Sequence, residues 1–220
     1  MIVLHHCVSA RSFRALWALE ELRVPYELVM MPFPPRVHAS AYLEVNPLGT
    51  VPLFIDGEER MTESAAICEY LAARYGQGGF GVAPDEPGYA DYLNFLHFGE
   101  ATLTFPQTLI LRYGRFESPD RRSAQVVEDY TRWFFGRLKS LENILAGRPF
   151  LCAGRFTAAD ISVGYALTLA EYLSLSSSFR PHTKEYWQRL RARDAFVRAL
   201  DAQEKAAIGQ GIPTTPAPLA

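Results

Sequence analysis

The stretch GQGGFGVAPDEPG, residues 76–88, constrains this chain more than any other. Glycine loses more backbone freedom on folding than any other residue, and proline removes a main-chain donor. A run dense in both cannot propagate a helix or a central strand, so it reads as a linker. Before it, apolar residues come in short blocks bounded by turn formers. After it, they recur at helical spacing.

The first part reads β-α-β-α-β-β-α. MIVLHH is a short buried strand. Over 12–22, Phe13, Leu16, Trp17, Leu19 and Leu22 form one helical face, with Glu20 and Glu21 opposite, and Val24-Pro25 ends the helix. YELVMMPF is a second strand. PPRVHASAYLEVNPLG is rich in turn formers and holds about one helical turn. TVPLFIDG is a third strand, and Asp56-Gly57 turns it into EERMT. SAAICEYLAARYG is an amphipathic helix closed by Gly76. Beyond Tyr89 all is helical: 89–114, kinked or broken near Pro106; 118–146, opened by Ser118-Pro119; and FTAADISVGYALTLAEYL, with Thr157 and Asp160 spaced as a capping box. One or two more helices follow. The predicted division is a first domain over 1–77, a linker over 78–88, a helical domain over 89–210 and a loose Pro-rich tail over 211–220.

A net charge of -2 over 220 residues gives no electrostatic reason for a nucleic-acid partner. No apolar run approaches the roughly 20 residues that span a bilayer, so no membrane association is expected. Met1 leads into a short apolar run without a basic segment, so no secretory leader is expected. Cys7, Cys68 and Cys152 are odd in number and far apart, which gives neither a disulfide framework nor a zinc pattern. A cytoplasmic, metal-free protein is the expectation.

Three segments carry a resemblance. NPLGTVPLF (46–54) resembles the N-P-x-G-x-V-P-x-L segment of the cytosolic glutathione transferases. TESAAICEYL (62–71) resembles their E-S-x-A-I helix start. FTAADIS (156–162) resembles the capping box of their buried core helix. All three occur in the family's order, and the resemblance covers about residues 1–205. It implies an α/β plus all-α fold: a thioredoxin-like domain followed by an all-helical one. It further implies glutathione as co-substrate, a small hydrophobic electrophile as second substrate, a detoxifying role and a homodimer. The opening loop is closest to bacterial-type, serine-dependent members. Carried over residue by residue, Val51 after a cis bond to Pro52 would pair with the cysteinyl part of glutathione like an added strand. Glu63 would face its α-ammonium group. Ser64, at the N-cap of a helix, would meet its γ-glutamyl carboxylate. His38 matches no fixed motif and is a weaker candidate for the glycyl carboxylate.

A free glutathione thiol has a pKa of about 8.5, and lowering it by one to two units is worth roughly 1.4–2.7 kcal/mol. A fixed hydroxyl donor near a helix N-terminus can supply that. The opening stretch holds no tyrosine, so Ser9, Ser12 and Cys7 are the candidates. Ser9 precedes the helix and is preferred. Ser12 also fits as a plain N-cap, and Cys7 as a small buried residue. Ala10 stands where cysteine-type members carry their thiol. His5 and His6 point to opposite faces of a strand and read as structural. Arg11 and Arg14 either add positive potential near an anion or lie in solvent, with solvent at least as good a reading for Arg14. The electrophile pocket is expected from Phe98, Phe105, Leu109, Tyr113 and Phe116, with core or dimer packing as the competing role. Two other functions fit the same residues: a glutathione-dependent thiol–disulfide reductase using Cys7, and a non-catalytic glutathione-fold binding or stress protein.

Overall fold

The computed structural model describes residues 1–216, and its contacts divide them into two compact units. The first gathers Met1–Gln77 with residues 192–216, and the second is Gly78–Arg191.

The first unit is built on four strands. These are β1 (Ile2–His6), β2 (Tyr26–Met30), β3 (Leu53–Asp56) and β4 (Glu59–Met61), in the order β2-β1-β3-β4. β1 runs parallel to β2 and antiparallel to β3, and β3 is antiparallel to β4. Parallel neighbours need a crossover, and α1 (Phe13–Leu22) supplies it. Phe13, Leu16, Trp17 and Leu19 of α1 are fully buried, as the periodicity requires. α1 ends at Arg23 in the left-handed region, whose N–H bonds the Leu19 carbonyl. Between β2 and β3 the chain makes two short helices, α2 (Pro35–His38) and α3 (Tyr42–Val45), where a single turn is expected. α4 (Ser64–Tyr75) follows β4.

In the second unit α5 (Tyr89–His97) and α6 (Phe105–Leu111) are joined by a π-helical stretch, Phe98–Thr104. A wider helical turn absorbs the break expected near Pro106. Gly99 is required within that stretch, because a Cβ there would lie 2.4 Å from the Ser162 carbonyl carbon. A second π-helical stretch, Arg112–Phe116, follows. The next long helix, α7 (Ala124–Leu145), starts later than Ser118-Pro119 implies. Those residues belong to a 3₁₀ turn, and the helix is capped by Ser123, whose hydroxyl accepts from the Val126 N–H at 3.3 Å.

α8 (Ala158–Tyr172) is buried along 158–170. The capping box at its start is present. Asp160 accepts from the Thr157 N–H at 2.8 Å, the Leu151 N–H at 3.1 Å and the Tyr186 hydroxyl at 2.8 Å. Burial pushes the Asp160 carboxyl up to about 6 against these bonds, leaving a carboxylate at neutral pH. The Gly/Pro-rich segment is tied down. Arg155 donates to the Gly79 and Gly81 carbonyls at 3.1 and 2.7 Å and pairs with Glu86.

α9 (Pro181–Arg191) completes the second unit. α10 (Asp194–Gly209) departs from the expected helical domain over 89–210, because it packs on α1 and β2 within the first unit. Arg193 pairs with both Glu21 carboxylate oxygens at 2.6 and 2.9 Å, and Arg198 with Glu20 at 2.9 Å. Phe196 sits edge-on to Phe13 and Trp17, with centroids 5.5 and 4.9 Å away. The expected loose tail over 211–220 lies partly outside the described residues, at 217–220. Ile212 packs against the cluster of Val8, Met30 and Ala207. Among the described residues no helix is long and apolar enough to cross a membrane.

Thr157→Ala removes a cap and lowers stability by about 0.5–2 kcal/mol. Asp160→Asn turns an acceptor into a donor that faces donors, and costs more, about 2 kcal/mol or above. Denaturant melts of the two variants check the order. Equal losses would contradict the central role of the Asp160 carboxylate.

Candidate functional site

The strand register decides what meets what. His5 of β1 lies opposite Leu53, the first residue of β3. Met61, the last residue of β4, lies opposite Phe54, and Met30, the last of β2, opposite His6. The loop after β1, the segment before β3, the junction into α4 and the loop carrying α2 therefore share one end of the sheet.

The segment before β3 is held from behind. The Thr50 carbonyl accepts from the Tyr42 hydroxyl at 2.9 Å and from Asn46 Nδ2 at 2.8 Å. Asn46 Oδ1 takes the Leu48 N–H at 3.2 Å. Gly49 has φ +60°, and a Cβ there would sit 2.7 Å from Arg36 Cβ, so only glycine fits. The Val51-Pro52 bond is cis, as is Phe33-Pro34. The β1–β3 ladder begins at Leu53, which leaves the Val51 main chain outside it.

At the α4 junction, helix geometry starts at Ser64 itself, so the N-cap position belongs to Glu63. The Glu63 side chain is exposed and makes no cap bond, while its carbonyl accepts from the Ile67 N–H at 2.9 Å. Ser64 is buried, and its hydroxyl oxygen accepts from Arg14 Nη1 at 3.2 Å. A lone pair of Ser64 is thereby occupied, and its own proton is directed elsewhere. Arg14 is fully buried, which corrects the solvent reading. It brings a guanidinium behind the N-terminus of α4, where the helix already favours anions.

In the loop after β1, all three thiol-site candidates are buried. Cys7 packs with Met31, Tyr42 and Leu53, and burial pushes its thiol up to about 12, so it is protonated at neutral pH. Ser12 stands at the N-cap position of α1 but makes no cap bond. Its hydroxyl lies 2.7 Å from His6 Nδ1 instead. Ser9 has φ +61°, in the left-handed region that L-residues enter at a cost, and its N–H donates to Gln203 Oε1 at 3.2 Å. His6 is fully buried, and desolvation brings it down to about 4, so it is neutral. His5 faces the other way, its ring 5.3 Å from that of Tyr42. His38 is exposed at the end of α2.

The pocket candidates lie in the second unit. Phe105 is exposed and meets Tyr130 and Trp133 of α7, with centroids 6.4 and 6.3 Å away. Leu109 and Tyr113 are half-buried. A surface depression along α5 includes Phe98 but none of those three. Among the described residues no group of three His, Cys, Asp or Glu side chains is placed to hold a metal ion.

Sequence reasoning did not find Gln203, because nothing local marks a glutamine on an amphipathic helix. Arg14 carries no local signal either, since helical spacing places it away from the face of Phe13, Leu16, Trp17, Leu19 and Leu22.

Residues 4–79 match the family model of the glutathione S-transferase N-terminal domain, and residues 106–194 that of its C-terminal domain. Glutathione S-transferase 3 of Schizosaccharomyces pombe is 30% identical over 86% of this chain and 82% of its own. A sphingomonad glutathione S-transferase solved with glutathione superposes with a TM-score of 0.79 at 25% identity, over 91% of this chain and 98% of that one. The transferase URE2P6 of Phanerochaete chrysosporium, solved with oxidised glutathione, gives 0.81 at 25% identity, over 93% and 97%. On these matches, and on a fold with the same two-part order, the chain belongs to the glutathione S-transferase family.

Proposed function

We propose that this chain binds glutathione at the shared sheet end and joins it, through its sulfur, to the electrophilic carbon of a small hydrophobic substrate. One observation carries the reading furthest: the Arg14–Ser64 bond at the N-terminus of α4, beside the Val51 segment. The γ-glutamyl carboxylate docks on the first N–H groups of α4 and the Ser64 hydroxyl, with Arg14 behind. Glu63 takes the α-ammonium group. The Val51 main chain pairs with the cysteinyl part, and His38 is the weaker partner for the glycyl carboxylate. The Ser9 hydroxyl stabilises the thiolate, which attacks the electrophilic carbon and expels its leaving group. Phe105, Leu109 and Tyr113 are proposed for the electrophile side. We read the protein as a cytoplasmic homodimer with a detoxifying role, on family resemblance.

Ser9→Ala lowers conjugation of an aryl halide and moves the rising limb of the pH–kcat/KM profile upward by about one unit. Ser12→Ala and Cys7→Ser leave that limb in place. Selective loss in Cys7→Ser, with disulfide reductase activity in the parent, would replace the transferase reading. Glutathione binding without turnover on a broad electrophile panel would favour a binding protein.

Arg14→Met keeps the apolar stem and removes the charge. Calorimetry should show glutathione affinity weakened about tenfold, the size of one charged hydrogen bond. Unchanged affinity in a folded variant would confine Arg14 to packing.

A further inference from the structure

The bonds at the β1–α1 loop form one buried chain, and their donors can be assigned. Gln203 of α10 places Oε1 3.2 Å from the Ser9 N and 3.0 Å from His6 Nε2. A main-chain N–H can only donate, so the amide atom facing Ser9 is the oxygen. An oxygen offers no proton, so His6 Nε2 must donate to it. His6 is neutral and carries a single ring proton, so Nδ1 is a lone pair. The Ser12 hydroxyl, 2.7 Å away, donates to that lone pair. The proton of Ser12 thus points inward, away from any ligand.

We propose that Gln203 is a positioning residue for the thiol-binding loop: it holds Ser9 in its left-handed conformation and, through His6, fixes Ser12. The proposal rests on the reading of Ser9 as the hydroxyl that stabilises the thiolate. A left-handed serine persists only where its surroundings enforce it. Gln203 is equipped to do so because α10 is itself fixed. Arg193, Phe196 and Arg198 anchor its start on α1. At its far end Gln210 pairs with the edge of β2, accepting from the Met30 N–H and donating to the Leu28 carbonyl, both at 2.8 Å. Gln203 lies between the two anchors, buried. A helix from the far end of the chain thereby sets the geometry of a loop near its start.

The test measures the thiol pKa of bound glutathione by thiolate absorbance, with kcat and KM for an aryl halide. The variants are Gln203→Leu, Ser9→Ala and the double. Gln203→Leu should raise the thiol pKa by about one unit and lower kcat about tenfold, with a smaller change in the KM for glutathione. In the Ser9→Ala background it should add nothing. Gln203→Glu, which keeps an acceptor oxygen, should restore most of the loss. An unmoved thiol pKa in Gln203→Leu, where Ser9→Ala does move it, overturns the positioning role alone. So does an equal further loss in the Ser9→Ala background, or a Gln203→Glu variant as impaired as Gln203→Leu. An unmoved pKa in Ser9→Ala overturns the Ser9 reading and the proposal together. Gln203→Met, of similar length and without a strong acceptor, replaces Gln203→Leu if that variant does not fold.

Discussion

The antiparallel register of β1 on β3 is the constraint on which the site depends. Leu4 lies opposite Phe54, and both are fully buried. Strand side chains alternate faces, so a slip of one residue would turn this pair outward. It would also exchange His5 and His6, and His6 would lose Ser12 and Gln203. The apolar pattern that fixes the sheet therefore also fixes which histidine enters the polar chain. The same register sets the β1 loop beside Val51 and Pro52.

What was legible in the sequence was local. The hairpin at Asp56-Gly57, the apolar face of α1 and the capping box at Thr157 are each written within a few residues, because backbone sterics and helix ends act at that range. The segments around Val51 and Ser64 are placed by resemblance to the family, and the N-cap position there falls on Glu63 rather than Ser64. Arg14 was less legible. A charged residue on a helix is usually solvated, and its burial depends on α4 packing across it. The destination of α10 was not legible at all. Its periodicity shows that one face is buried but not against what, and Gln203 lies 194 residues from Ser9. The π-helical stretch before Pro106 likewise depends on the close approach of Gly99 to Ser162.

The loop after β1 also shows why neighbouring polar residues are not equivalent. A cysteine becomes nucleophilic when positive charge or a helix N-terminus lowers its pKa. Cys7 sits among Met31, Tyr42 and Leu53, and this apolar setting does the opposite. Ser12 has its proton committed to His6. Reactivity is thus set by the packing of each side chain rather than by its distance along the chain from the helix.

The electrostatic character of the sheet end follows. β1 brings two histidines to it, and burial lowers the pKa of both, His6 to about 4. Neither supplies a cation at neutral pH. The positive potential for an anionic ligand comes instead from the Arg14 guanidinium and the N-terminus of α4. On the proposed function, docking and thiol activation would be separate tasks, the first falling to Arg14 and the N-terminus of α4, the second to hydroxyl geometry in the loop. Gln203 contacts the loop while Arg14 contacts α4, so the proposed tuning through α10 would leave the proposed carboxylate site undisturbed.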